Sequence, residues 1–150
     1  MERREALAAY NDAYKEQDDL YRAAARQCGL SDCAFWVLYA LREAGRPMTQ
    51  SDVCAAVYQP KQTVHSALKK LLEEDVLRLT EGRDRRSKYL TLTETGETLM
   101  ARTVDRVTAA EETAMDTLTA AERAQFLALC RRYNAALRQA LSTAIGEKKE

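Results

Sequence analysis

The feature that constrains this chain most is a change of hydrophobic period. In the segment PKQTVHSALKKLLEED, Val64, Ala67, Leu68, Leu71 and Leu72 recur at helical spacing and share one face. Directly afterwards, Leu77-Arg78-Leu79-Thr80 and Leu90-Thr91-Leu92-Thr93 alternate apolar and polar residues, the period of half-buried strands. Between the two runs lies GRDRRSK, where Arg83, Asp84, Arg85, Arg86 and Lys88 leave a net charge of +3. Upstream, Thr49 and Asp52 have capping-box spacing at the head of TQSDVCAAV, and a break at Tyr58-Gln59 precedes Pro60, where a first helical turn tolerates proline. A short helix, a tight turn and an amphipathic helix with its polar face outward is a helix-turn-helix pattern. Followed at once by a hairpin with a basic tip, it reads as a winged helix.

The flanks are helical. Leu7, Tyr10, Tyr14, Tyr21, Ala24 and Cys28 fall on one face of a helix predicted over 3–27, with Gly29 as its stop. Ser31 is a good N-cap for the next helix, and Asp32 suits the positive end of its dipole. The run Phe35-Trp36-Val37-Leu38-Tyr39-Ala40-Leu41 is apolar almost all round, which predicts a central helix ended by Gly45 and Pro47. From Glu94 to Ile145 the pattern is again helical, broken near Leu118-Thr119, with Thr119 and Glu122 forming a capping box for the last helix. The fold class is therefore mostly α, an α+β winged helix of about six helices and a two-stranded β-hairpin.

Composition narrows the function. The 150 residues suit one ordinary domain, and Lys plus Arg (23) equals Asp plus Glu (23), so no whole-molecule field draws in nucleic acid or membrane. A local basic patch is what matters for DNA. The first residues are charged and no run approaches the ~18 apolar residues of a membrane span, so a cytoplasmic protein with no membrane partner is expected. Cys28, Cys33, Cys54 and Cys130 contain no CxxC, and His65 is the one histidine, so neither a metal site nor a cofactor is expected. No nucleophile–base pair and no Gly-rich phosphate loop is visible, which argues against an enzyme.

Gln62, His65, Ser66 and Lys69 lie opposite the Val64–Leu71 stripe and, with Lys61 and Thr63 in the first turn, are the candidates to face DNA. Lys69 and Lys70 suit phosphates, which position a duplex without reading it. In the hairpin tip the candidates are Arg83, Asp84, Arg85, Arg86 and Lys88, since an arginine suits the enhanced negative potential of a narrow minor groove. The alternative for the tip is an ordinary solvated charge run. Tyr14, Tyr21, Trp36 and Tyr39 are candidates for an aromatic ligand pocket, against plain packing. Cys28 and Cys33 are either small buried hydrophobes or redox-active thiols.

Four segments, LSDCAFWVLYAL, TQSDVCAAVYQPKQTVHSALKKL, DRRSKYLTLTETG and LTAAERAQFLALC, together resemble the MarR (multiple-antibiotic-resistance regulator) family of bacterial transcription factors from about Tyr10 to Leu141. The wing is the most specific part: Asp84-x-Arg86, then Leu90-x-Leu92-Thr93-x-x-Gly96. The resemblance implies a single MarR-like domain over 1–150. Within it, 30–93 would be the winged helix-turn-helix lobe, and 1–29 with 94–146 a helical dimerisation region. It further implies a homodimer on double-stranded DNA, repressing from a pseudo-palindromic operator and relieved by a small-molecule effector. The helix from Lys61 would enter the major groove, Arg86 would be the wing-tip arginine and Asp84 the acid that orients it. Asp75 departs from the family where glycine is usual, His65 stands where smaller polar residues are common, and the wing strand lacks a frequent proline. Two rival readings are a winged-helix protein-interaction module without DNA binding, against which the +3 tip counts, and a thiol-based redox-sensing regulator.

Overall fold

The structure, a computed structural model, describes residues 1–82 and 86–146. In chain order these form α1 (Arg3–Gln27), α2 (Asp32–Ala44), α3 (Gln50–Ala56), α4 (Lys61–Glu73), β1 (Leu77–Glu81), β2 (Lys88–Leu92), α5 (Glu94–Arg102), α6 (Val104–Asp116) and α7 (Ala120–Ile145). This is the expected mostly helical winged helix. The helix count among the described residues is seven because Glu94–Asp116 is divided at Thr103. The Thr103 hydroxyl donates to the Leu99 carbonyl at 2.6 Å. The backbone there leaves the helix at φ −124°, ψ −91°. Threonine back-bonding of this kind bends helices, and neither glycine nor proline marks the site.

By internal packing the chain forms two units, Met1–Thr108 and the residues from Ala109 onward. The first is built around α2. The Ser31 hydroxyl accepts the Ala34 amide at 3.1 Å, fixing the start of α2, and Gly45 ends it in the left-handed region at φ 58°. Phe35, Val37 and Leu38 are fully enclosed. Against them pack Val53 of α3, Val64, Leu68 and Leu71 of α4, and Leu77 and Leu90 of the hairpin. Each such side chain contributes about 1.5–3 kcal/mol by leaving water.

The hairpin is antiparallel, with Leu77 opposite Leu92, Leu79 opposite Leu90 and Glu81 opposite Lys88. A third segment extends it: the Leu90 amide donates to the Met48 carbonyl at 2.8 Å, just ahead of α3. The connection from α4 into β1 passes through Asp75 at φ 54°, which explains why glycine is the usual residue at such a helix end. The buried Thr93 hydroxyl donates to the Asp75 carbonyl and accepts the Gly96 amide, capping α5 against the same turn. α2 is fastened to α5 and α6 by Arg42. Its Nε and Nη2 donate to the two carboxylate oxygens of Asp105 at 2.8 and 3.0 Å, and Nη2 donates also to Glu97 at 3.0 Å. A bidentate guanidinium–carboxylate pair fixes orientation as well as distance.

In the second unit, Thr119 and Glu122 form the capping box read from the sequence, with the Thr119 amide donating to Glu122 at 2.8 Å. Arg123 donates to the Met115 and Leu118 carbonyls at 3.1 and 2.8 Å and closes the turn before α7. None of the residues of α7 is buried within the single chain.

The packing of α5 onto the turn that leads into β1 is a sharp test of this fold. A Cβ on Gly96 would lie 2.1 Å from the Val76 carbonyl oxygen, a backbone atom with little room to move. Gly96→Ala should therefore destabilise the chain by about 1–3 kcal/mol or more, read as a lower midpoint in thermal or urea unfolding. An unchanged midpoint would show that α5 does not pack here.

Candidate nucleic-acid interface and adjoining cleft

The buried stripe of α4 decides which residues it shows to solvent. With Val64, Leu68 and Leu71 turned inward, Lys61, Gln62, Thr63, His65, Ser66 and Lys69 are all exposed. The Ser66 hydroxyl donates to its own helix, to the Gln62 carbonyl at 3.0 Å, so its lone pairs face outward as acceptors. Lys69 and Lys70 make only loose i,i+4 contacts, to Glu73 at 3.8 Å and Glu74 at 3.7 Å, with all four side chains more than half exposed. Pairs of this kind are worth little and yield readily to phosphate. The helix starts at Pro60 with no side-chain cap and no acidic residue in its first turn. No acid of its own first turn compensates its positive dipole end.

The α3 that precedes it is held by a full capping box. Thr49 Oγ1 accepts the Asp52 amide at 3.1 Å and the Thr49 amide donates to Asp52 at 2.9 Å. These hydrogen bonds from Thr49 hold the Asp52 carboxyl below its ordinary pKa. The turn into α4 is tied to α2 by Gln59, whose amide donates to Asp32 Oδ2 at 3.1 Å. Asp32 Oδ1 is buried without a hydrogen-bond partner among the described residues.

In the wing, Arg86 and Lys88 are exposed, and the Gly82 amide donates to the Ser87 carbonyl at 2.9 Å across the hairpin end. Gly82 lets the Tyr89 ring lie close to the backbone: a Cβ there would meet the ring at 2.2 Å and displace it. Arg83, Asp84 and Arg85 lie outside the described residues.

Three of the four aromatic candidates meet in one cleft. Tyr14, Trp36 and Tyr39 line a cavity of about 660 Å³ together with Asp18, Glu43, Met48, Val57 and Tyr58. Trp36 and Tyr39 stand edge to face at 5.3 Å. Tyr21 is not in the lining; it supports Trp36 from behind, ring to ring at 5.0 Å. Asp18, Glu43, Met48 and Tyr58 escape sequence reasoning because they come from α1, the end of α2 and both flanks of α3. The cleft touches the start of α4 and the wing in two places. Val57 and Tyr58 form the turn leading into α4, and Met48 is bonded to the wing strand at Leu90.

A sequence profile described as the MarR family matches residues 29–87. Solved structures share the fold over nearly the whole chain. NMB1585, a MarR family regulator from Neisseria meningitidis, has a TM-score of 0.73 at 24% identity, covering 95% of this chain and 99% of its own. Staphylococcus aureus MarR in complex with salicylate and kanamycin has a TM-score of 0.67 at 17% identity, covering 91% and 92%. The Staphylococcus aureus MepR–DNA complex has a TM-score of 0.64 at 19% identity, covering 87% and 96%. No curated protein sequence matches the chain. Among the described residues, no helix is long and apolar enough to cross a membrane.

Of the two cysteines considered for redox chemistry, Cys33 is buried in α2. Desolvation, then the nearby Asp32 charge and Cys54, push its thiol pKa up, so its thiolate is scarce at neutral pH. Cys28 is partly exposed, as are Cys54 and Cys130. In the native protein a disulfide reagent such as dithionitrobenzoate should therefore leave Cys33 the slowest thiol by a wide margin. Mass spectrometry after partial labelling would locate it. Cys33 reacting first would overturn its assignment as a packing residue.

Proposed function

Since residues 29–87 match a MarR family profile, we propose that the chain is a sequence-specific DNA-binding transcriptional regulator of that family. The observation that carries this reading is the solvent face of α4. It is a continuous set of hydrogen-bonding and basic side chains opposite a fully buried stripe, at a helix start left uncapped and without acids. In this reading α4 lies in the major groove, where Gln62, His65 and Ser66 meet base edges while Lys61, Thr63 and Lys69 hold phosphates. The wing reaches the neighbouring minor groove with Arg86 and Lys88, flanking Arg83, Asp84 and Arg85. A MepR relative bound to DNA supports the nucleic-acid partner, and a MarR relative in complex with salicylate and kanamycin supports a small-molecule effector, for which we propose the aromatic cleft of this chain.

The lobe at 30–93 binds DNA in this proposal, and 1–29 with 94–146 assemble a homodimer. Two uncovered apolar faces support the dimer. α1 exposes Leu7, Tyr10, Tyr14 and Leu20, and α7 exposes Phe126, Leu129, Tyr133, Leu137 and Leu141. Apolar stripes of this length rarely stay in water. Binding as a repressor that an effector releases completes the proposal, because the cleft adjoins both the α4 turn and the wing strand. Sedimentation should give a species near 34 kDa, twice the 16.9 kDa chain, with a melting temperature that rises with protein concentration. A monomer at micromolar concentration would remove the assembly from this proposal.

Base reading and backbone holding separate by mutation. Gln62→Ala should cost roughly 1–3 kcal/mol on the true operator and relax preference at one or two base pairs in each half-site. Arg86→Ala should weaken all operator variants alike and lower the salt slope by about 1 for each phosphate no longer neutralised. Titration of a labelled operator library at two salt concentrations reads both. Identical, uniform losses for the two variants would show that α4 is not the reading face. No loss from either would favour the protein-interaction module.

A further inference from the structure

The lining of the cleft has a charge character that DNA binding does not use. Among the described residues its charged members are Asp18 and Glu43, and neither Lys nor Arg lines it. Asp18 is paired with Arg22 at 2.8 Å, one helical turn along α1. Glu43 makes no ion pair among the described residues, so its carboxylate is unmatched at the rim. The rest of the wall is aromatic and aliphatic: Tyr14, Trp36, Tyr39 and Tyr58, with Met48 and Val57 between them. Aromatic faces carry negative potential, and Met48 adds a polarisable thioether.

We infer that this cleft is selective for an organic cation, a multi-ring aromatic body bearing a delocalised or quaternary positive charge, with Glu43 as its counter-ion and Trp36, Tyr39 and Tyr58 as its π surfaces. This deepens the effector-site reading and rests on it for any consequence at the operator. The cavity volume of about 660 Å³ admits a drug-sized ligand. A cation within about 6 Å of several ring faces is attracted by each of them. A quaternary centre has no hydrogen bonds to water to lose on entry. An aromatic carboxylate of the same size would instead meet the charge of Glu43, with no Lys or Arg in the lining to receive it.

Trp36 is the one tryptophan of the chain and lies in the cleft wall, so its fluorescence reports occupancy directly. The full chain is titrated with three probes of similar shape: tetraphenylphosphonium (cation), triphenylphosphine oxide (neutral) and tetraphenylborate (anion). The phosphonium should quench Trp36 saturably and bind roughly tenfold more tightly than the borate. Glu43→Gln should weaken the phosphonium about 2- to 5-fold and leave the phosphine oxide unchanged, as loss of a rim charge predicts. Glu43→Lys should reverse the order of the two ions, which a merely structural role for this exposed residue would not do. Borate binding as tight as phosphonium binding, no quenching by the phosphonium, or a Glu43→Gln variant that binds it unchanged would each overturn the inference. The titration needs no DNA. Failure of the wild-type chain to retard an operator fragment would strike the regulator reading and leave the cation result standing.

Discussion

The contact on which the rest depends is the packing of α4 against α2. α2 is enclosed through Phe35, Val37 and Leu38, and α4 meets it with Val64, Leu68 and Leu71. A helix repeats every 3.6 residues, so fixing three inward positions fixes every outward one. The surface proposed to meet DNA is thus a by-product of the core. A substitution that rotated α4 to relieve a packing defect would move Gln62, His65 and Ser66 together. Binding should be sensitive to core residues that never approach a nucleotide.

Much of this was legible in the sequence because it is local. Thr49 and Thr119 are readable as caps from one residue and its neighbour three positions on, and Ser31 from its residue type beside Asp32; each makes the expected hydrogen bond. The hairpin was readable because alternation requires only the residues of its own strands. The α4 face followed from periodicity alone. What was not legible depends on chain segments far apart. Arg42 finds Glu97 and Asp105 across 55 and 63 residues, and nothing about an arginine near a helix end announces those partners. The cleft draws on α1, α2 and both flanks of α3, so tyrosine spacing located Tyr14 and Tyr39 but could not tell that Tyr21 lies behind the wall. The break at Thr103 was hidden for a different reason: a hydroxyl turned back on its own helix leaves no compositional mark.

α2 also links these parts mechanically. Trp36, Tyr39, Ala40 and Glu43 line the cleft, Leu38 lies in the core and Arg42 holds α5 and α6. Any ligand that shifts α2 acts at once on the support of α4 and on the Arg42 clamp. Met48 adds a second route, since the segment that borders the cleft is hydrogen-bonded to the wing strand. A small displacement in the cleft thus has short covalent and hydrogen-bonded paths to both proposed DNA-contacting elements.

The bare start of α4 carries a consequence for how this protein trades durability against use. α2, α3, α5 and α7 each begin on a serine or threonine whose side chain bonds the helix, whereas α4 begins on Pro60 with none. An N-cap is worth about 1 kcal/mol, so the helix proposed to read DNA forgoes stabilisation that these neighbours have. An aspartate in the first turn would strengthen the helix in isolation, yet it would also set a negative charge against a polyanion. Sequences optimised for heat resistance alone would be expected to fill that position and lose the partner. Under the proposed DNA-binding reading, the local weakness is a place left open for a phosphate rather than a flaw in the fold.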